Sequence, residues 1–301
     1  MLCNIKCKFI LEVIFNNVKN KIKLNIIKHN RKLLERLDIA KEDFEVYESL
    51  KEFNNKFPLK IKDFDIKELN LKDLSIRNKS LKYLSKMKFR ELKLLDISGN
   101  YISELNLLKD VEFDELETLN LSFNIIIDIK IIEKMNLKKL KELNLSQNLI
   151  SDITILKSVN FEKLEILKLN HNKISNINIL SFVNFKELKV LNLSYNLISD
   201  IDVLKEVHFN KLNEIDLSNN KISDINVLQN VDFKDLKILL LNNNKISDIN
   251  VLKKVNFEKL EILHIDENDV NEIDDKTFIE NINFEELVEL HLNNVEYFFI
   301  D

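Results

Sequence analysis

The stretch L-K-E-L-N-L-S-Q-N-L-I-S-D-I, from Leu140 to Ile153, returns with small changes every 24 residues along most of a 301-residue chain. Its asparagine recurs as Asn100, Asn124, Asn148, Asn172, Asn196, Asn220, Asn244 and Asn268, with no insertion or deletion between them. A fixed period of about 20 to 50 residues marks a stacked repeat, in which each unit buries its apolar face against its neighbours.

The turn starting at Leu164 shows how the pattern dictates structure. Leu167 and Leu169 alternate with Ile166 and Lys168, which is the period of a strand with one face buried. Successive turns set these strands side by side, roughly 4.8 Å apart, as a parallel sheet. About ten of them give a face on the order of 45 Å long. Asn172 follows where the chain must bend away from the strand. Its amide carries both donors and acceptors, so it can satisfy backbone groups that the bend leaves unpaired. Stacked in every turn, these asparagines form a structural ladder rather than a site. Ile174, Ile177 and Leu180 return to the core, and the Ser-Asp-Ile of Ser151–Ile153 and Ser223–Ile225 offers an N-cap to a short helical turn. A second apolar pair, Val159/Phe161, recurs at Val183/Phe185, Val207/Phe209, Val231/Phe233 and Val255/Phe257, which predicts a phenylalanine stack along the back of the core. Lys93, Glu117, Lys141, Glu165 and Lys189 share one column with opposite signs on adjacent strands, an arrangement that favours register and solubility.

L-x-x-L-x-L-x-x-N-x-I, as at Leu92–Ile102, Leu116–Ile126, Leu164–Ile174 and Leu188–Ile198, resembles the leucine-rich-repeat motif. The resemblance implies an α/β solenoid: a horseshoe with a parallel concave β-sheet and short helical or 3-10 convex turns, preceded by a small helical N-terminal region. The Ile-Ser-Asp-Ile convex pattern is similar to repeats of the protein-phosphatase regulatory-subunit type, although those usually repeat at about 22 residues. Such repeats bind other proteins, so the first reading is a non-catalytic interaction scaffold with a protein partner on its concave face. The apolar positions Ile14, Phe15, Val18, Leu24, Ile26, Ile27 and Leu33 resemble, faintly, an F-box. That resemblance implies the alternative of a substrate receptor for a cullin–RING ubiquitin ligase, and the convex pattern implies a further alternative, a phosphatase regulatory subunit.

Residues 1–60 lack the repeat. Apolar residues at mixed three- and four-residue spacing between Lys8 and Leu37 predict amphipathic helices, and Asp43–Phe53 suggests another. A polar stretch, Lys51–Lys56, then separates this cap, or F-box-like region, from an array spanning 61–301. Ile66–Leu71 opens the array as a degenerate turn with Leu74 at the asparagine position, and Leu287–Leu292 closes it with Val295 there. The aromatics of Tyr297–Phe299 are placed to seal the last turn.

The composition excludes several classes. One glycine rules out a glycine-rich phosphate loop, and a net charge of −5 without a basic cluster gives no nucleic-acid footprint. Cys3 and Cys7 form no disulfide framework and no zinc set. No nucleophile–base pair stands at a recognisable spacing, so no enzyme, no cofactor and no metal is expected. No run approaches a membrane span. In a eukaryotic secretory pathway the sequons at Asn120, Asn144 and Asn192, which fall within predicted strands, would carry glycans that cover the binding face. The chain therefore reads as a cytoplasmic or nuclear monomer.

Function is expected on the outward strand positions and beside the ladder. The candidates are Phe123, Tyr195, Ile166, Lys168, Val190, His171, Asn144, Asn192, Leu240 and His264. Core packing does not require Phe123, Tyr195, Ile166 or Val190 to be apolar. His264 and His291 share a column on adjacent turns, beside Asp266 and Glu267; they are read as solvated histidines, with a transition-metal site as the alternative.

Overall fold

A computed structural model describes residues 52–57, 66–85, 89, 91–111, 113–270 and 275–299. The helices expected between Lys8 and Leu37, and the F-box-like positions within them, lie outside the described residues.

Among the described residues, eleven strands form one sheet in chain order. They are β1 (Glu68–Asn70), β2 (Leu94–Asp96), β3 (Thr118–Asn120), β4 (Glu142–Asn144), β5 (Ile166–Lys168), β6 (Val190–Asn192), β7 (Glu214–Asp216), β8 (Ile238–Leu240), β9 (Ile262–His264), β10 (Glu289–Leu292) and β11 (Val295–Phe298). β1 to β10 are parallel, with each strand pairing its successor in the register set by the repeat, such as Leu143↔Leu167 and Leu167↔Leu191. The central residue of each is buried and its neighbours face outward. The short turns opposite the sheet are 3-10 from Asn106–Leu108 to Asn250–Lys253.

The asparagines act as the sequence predicts. Asn148 Nδ2 donates to the carbonyls of Leu121, Leu145 and Ser146 at 3.0 to 3.1 Å, and its Oδ1 accepts the Ile126 N–H from the preceding turn at 3.0 Å. The same pattern repeats at Asn124, Asn172, Asn196, Asn220, Asn244 and Asn268. Each amide thus ties its own bend to the turn before it. Phe161, Phe185 and Phe209 stack along the back with ring centroids 6.2 and 6.4 Å apart, and all three are buried.

Three details differ from the sequence reading. Residues 52–56 are helical, not a polar separator: Phe53 is fully buried and its ring lies 4.7 Å from that of Phe57, within the same core. The charged Glu52 and Lys56 are on the exposed side of that helix, and in the sequence they hide its buried one. At the convex side, the Ser-Asp-Ile motif is not a side-chain N-cap to the inner turn. Instead Asp152 Oδ1 accepts the N–H of Thr154 two residues on, at 2.9 Å, and Asp200, Asp224 and Asp248 do the same. The hydroxyl of Thr154 also bonds that carboxylate and, with the backbone bond, holds the Asp152 carboxyl below its usual range. At the C-terminal end the chain reverses rather than continuing. Asn293 and Asn294 take φ of 51° and 60°, the hairpin conformation that asparagine tolerates, and β11 pairs antiparallel with β10. The three extra residues of that last interval accompany an α-helix, Asp275–Asn281, in place of a 3-10 turn.

Candidate functional site

The outward face of the sheet carries two kinds of position. Strand residues such as Ile166, Val190 and Leu240 are half-buried, flanked by their neighbours on adjacent strands. The residue before each ladder asparagine lies beyond the strand, and there the backbone is left-handed in every regular turn. Gly99 (φ 67°), Phe123 (54°), Gln147 (52°), His171 (54°), Tyr195 (53°), Asn219 (56°), Asn243 (53°) and Glu267 (52°) form this column. The bend lets each N–H reach the next turn, as Phe123 N–H does to the Ser146 carbonyl at 3.0 Å. Left-handed backbone costs an L-residue roughly 1–2 kcal/mol. The chain's single glycine stands here for a further reason: a Cβ on Gly99 would fall 1.9 Å from Asp73 Oδ1.

The left-handed column points its side chains into solvent. Phe123 is 56% exposed and Tyr195 48%. The His171 and Tyr195 rings stack 3.9 Å apart at 11°. Around Phe123 the structure adds residues that the sequence reading passed over: Tyr101, Ile125 and Ile127 are all exposed. Ile125 and Tyr101 each follow a ladder asparagine on adjacent turns, and Ile127 stands where most other turns carry serine. Those departures from the repeat were legible; what concealed them is that an isoleucine in an Ile-Ile-Ile run reads as core.

Not every candidate is free to bind. Asn144 and Asn192 turn their Oδ1 atoms to the N–H and hydroxyl of Ser146 and Ser194, at 2.6 to 3.0 Å. They hold the exit from the strand, so their role is structural on the oxygen side. Lys168 Nζ donates to Glu142 Oε1 at 3.0 Å. Nearby, burial and then the charge of Asp216 push the Glu214 carboxyl up, with Lys168 opposing.

The charged column pairs as expected at Lys93–Glu117, Lys141–Glu117, Lys189–Glu165 and Lys237–Glu261. A second column, unnoticed in the sequence, pairs Lys139 with Glu115, Lys211 with Glu187 and Lys259 with Asp235. Hydrogen bonds from Lys141 and Lys93 pull the Glu117 carboxyl down to about 2 from an ordinary 4.5. Because folding lowers this value, the stabilisation it gives is complete above the ordinary value and disappears as pH falls from there towards about 2. An NMR titration of the Glu117 carboxyl carbon at low salt is expected to give a midpoint near 2, moving upward in ~1 M salt as the lysines are screened. A midpoint at the ordinary glutamate value in low salt would contradict the pairing.

His264 and His291 are not solvated, contrary to the sequence reading. Register places them opposite one another on β9 and β10, with rings stacked 3.7 Å apart at 11° and side chains 19% and 18% exposed. Their acidic neighbours are Glu289 and Asp266, and Glu267 belongs instead to the left-handed column. Glu289 was within reach of the sequence, since it lies two residues before His291 and so shares its strand face. The histidine cluster sits six turns from Phe123, about 29 Å along the sheet, and the other predicted residues, His171, Tyr195 and Leu240 among them, are spread over the turns between. Among the described residues, no helix is long and apolar enough to cross a membrane.

A family model described as a leucine rich repeat matches residues 162–222, and one described as two copies of leucine rich repeats matches residues 114–158. No curated protein matches the chain significantly. Among solved structures, internalin C2 from Listeria monocytogenes is similar at TM-score 0.53 and 25% identity, over 69% of this chain and 93% of that one. The functional domain of InlJ, also from Listeria monocytogenes, has TM-score 0.52 and 20% identity over 79% of this chain and 56% of its own, and its ladder is of cysteines. A leucine-rich-repeat protein of Leptospira interrogans has TM-score 0.50 and 21% identity over 75% of this chain and 72% of its own; the last two show the fold alone. With its 24-residue register, its asparagine ladder and these matches, the chain is a leucine-rich-repeat protein.

Proposed function

We propose that this chain is a non-catalytic scaffold that captures a protein partner on the outward face of its sheet, through an apolar patch around Phe123 and the His171–Tyr195 stack. One observation carries the reading. The left-handed column is a position where glycine or asparagine is the undemanding choice, yet it holds Phe123 and Tyr195, exposed to water. Neither the backbone nor the core rewards an aromatic side chain there. Tyr101, Ile125 and Ile127, on the same and the preceding turn, are exposed as well, and clustered aromatic and branched residues on a surface are the usual anchors of a protein interface. Leucine-rich-repeat proteins commonly mediate such interactions. The partner this patch fits offers an apolar anchor to the turns around Phe123 and a more polar rim further along, where Tyr195, Asn219, Asn243, Asp266, Glu267 and Asn294 line a shallow depression.

The test is affinity capture from the native organism, comparing the natural chain with Phe123→Ala/Ile127→Ser. Serine is what most turns carry at the second position, so the variant is expected to keep its circular dichroism and melting midpoint. Recovery of the partner is expected to fall by about thirtyfold, the effect of losing an anchor worth roughly 2 kcal/mol. Equal recovery would remove the patch from the interface. The same reading places the protein inside the cell, because glycans on Asn120, Asn144 or Asn192 would stand on the capturing face; a tagged chain found outside the cell would overturn that placement.

A further inference from the structure

The cluster at the C-terminal end of the sheet answers to a different chemistry. His264 Nε2 and His291 Nε2 lie 2.7 and 2.9 Å from the same oxygen, Glu289 Oε1. One ligand atom from each of the three residues lies within 4.8 Å of the other two. His291 Nδ1 faces Asp266 Oδ2 at 3.4 Å, while the other Asp266 oxygen accepts the Asn294 N–H of the hairpin turn at 2.8 Å. His291 Nε2 is shielded from water and has no hydrogen bond of good geometry, although a carboxylate oxygen is close. A buried polar atom in that state calls for a partner. Where Nδ1 of an imidazole carries its proton towards a carboxylate, Nε2 presents a lone pair. In that tautomer the lone pair would meet an oxygen that also can only accept. Two acceptors aimed at one point are reconciled by a cation between them.

We infer that His264, His291 and Glu289 form a binding site for a divalent transition-metal ion of borderline softness, zinc foremost. Two imidazole nitrogens and one carboxylate are the donor set such an ion takes, with a fourth position left to water or to a carboxylate from a partner. Calcium and magnesium, which demand oxygen ligands, are excluded by the same donors. Tetrahedral zinc at bonds of about 2.0–2.2 Å separates its ligand atoms by about 3.3 Å, so loading needs the Glu289 oxygen to retreat by about half an ångström and the two rings, now stacked at 11°, to rotate until both planes pass through the ion. Asp266 then acts as a positioning residue: it orients His291 through Nδ1, as carboxylates behind metal-bound histidines do. The ion would clip β9 to β10 beside the hairpin; Asp266 also lines the polar rim of the proposed capture face, and the site is tested by zinc affinity rather than by recovery of a partner.

The experiment uses the full chain, stripped of metal and titrated with zinc chloride by calorimetry. One zinc per chain is expected, with a rise in the unfolding midpoint on saturation. His264→Asn is a suitable variant, because Asn120, Asn144 and Asn192 occupy the same column and the fold accepts asparagine there. It and His291→Asn are expected to weaken zinc by more than about a hundredfold, and Asp266→Asn by about tenfold, since outer-shell partners alone are worth about 10–100-fold. Cobalt in place of zinc is expected to show the strong visible absorption of a tetrahedral ion, lost in His264→Asn. Zinc that fails to bind, or that binds both histidine variants as tightly as the natural chain, overturns the assignment; the second result would place the ion elsewhere in the chain.

Discussion

Asn148→Ala is expected to lower the stability of the array by about 3 kcal/mol. The side chain is 6% exposed and makes four hydrogen bonds, three as donor and one as acceptor. The carbonyls survive its loss. Leu121 and Leu145 still receive the amides of Asn124 and Asn172 at 3.0 Å, and Ser146 still receives the Phe123 N–H. The Ile126 N–H has no such substitute, and leaving a buried donor unpaired costs about 1–3 kcal/mol by itself. Asn148→Asp sharpens the test. It keeps the size and the acceptor for Ile126, but sets a second oxygen, with a charge, against three carbonyl oxygens. It is therefore expected to cost more than alanine, although it is the closer substitution in shape. Urea denaturation followed by circular dichroism measures both. If aspartate proves milder than alanine, keeping the size and the acceptor for Ile126 outweighs the loss of the three donor contacts.

The second large effect is expected at Phe185, which is 2% exposed and has ring neighbours on both sides, at 6.2 and 6.4 Å. Phe185→Ala removes a ring that nothing else can replace, and large-to-small changes of this kind cost about 3–5 kcal/mol. Phe185→Leu is expected to cost less than about 1.5 kcal/mol, because the protein already carries Leu137 in the same column and buries it. Since each turn touches mainly its neighbours, the alanine variant is also expected to broaden the denaturation transition, as the array begins to separate into two halves. A sharp transition with an unchanged midpoint would mean that the stack is not part of the cooperative unit.

Both effects concern the scaffold, and the scaffold is what makes the two surface groups meaningful. Phe123 and Tyr195 project from a bend held by ladder bonds. His264 and His291 meet because the register of β9 on β10 is fixed. Each group is therefore held in place by the repeat scaffold beneath it.

The repeat alone determined the strands, their order, the buried face, the asparagine ladder and the phenylalanine stack. Those features follow from which side of a strand each residue faces, and a strict period encodes that choice in every turn. Three things depended on the assembled chain. The left-handed column was invisible because Phe123, Gln147, His171 and Tyr195 do not advertise a positive φ; only Gly99 did, and the conformation is imposed by bonds to the following turn. The helical segment at 52–56 joined the core because Phe53 and Phe57 find an apolar surface there, which composition does not reveal. The histidine cluster required Glu289 and Asp266, contributed by different turns, to come within 2.9 and 3.4 Å of the two ring nitrogens of His291. A repeat makes equivalent residues adjacent, and that much is written in the period. Whether adjacent side chains then turn to water or to each other is decided by rotamers, burial and charge in three dimensions.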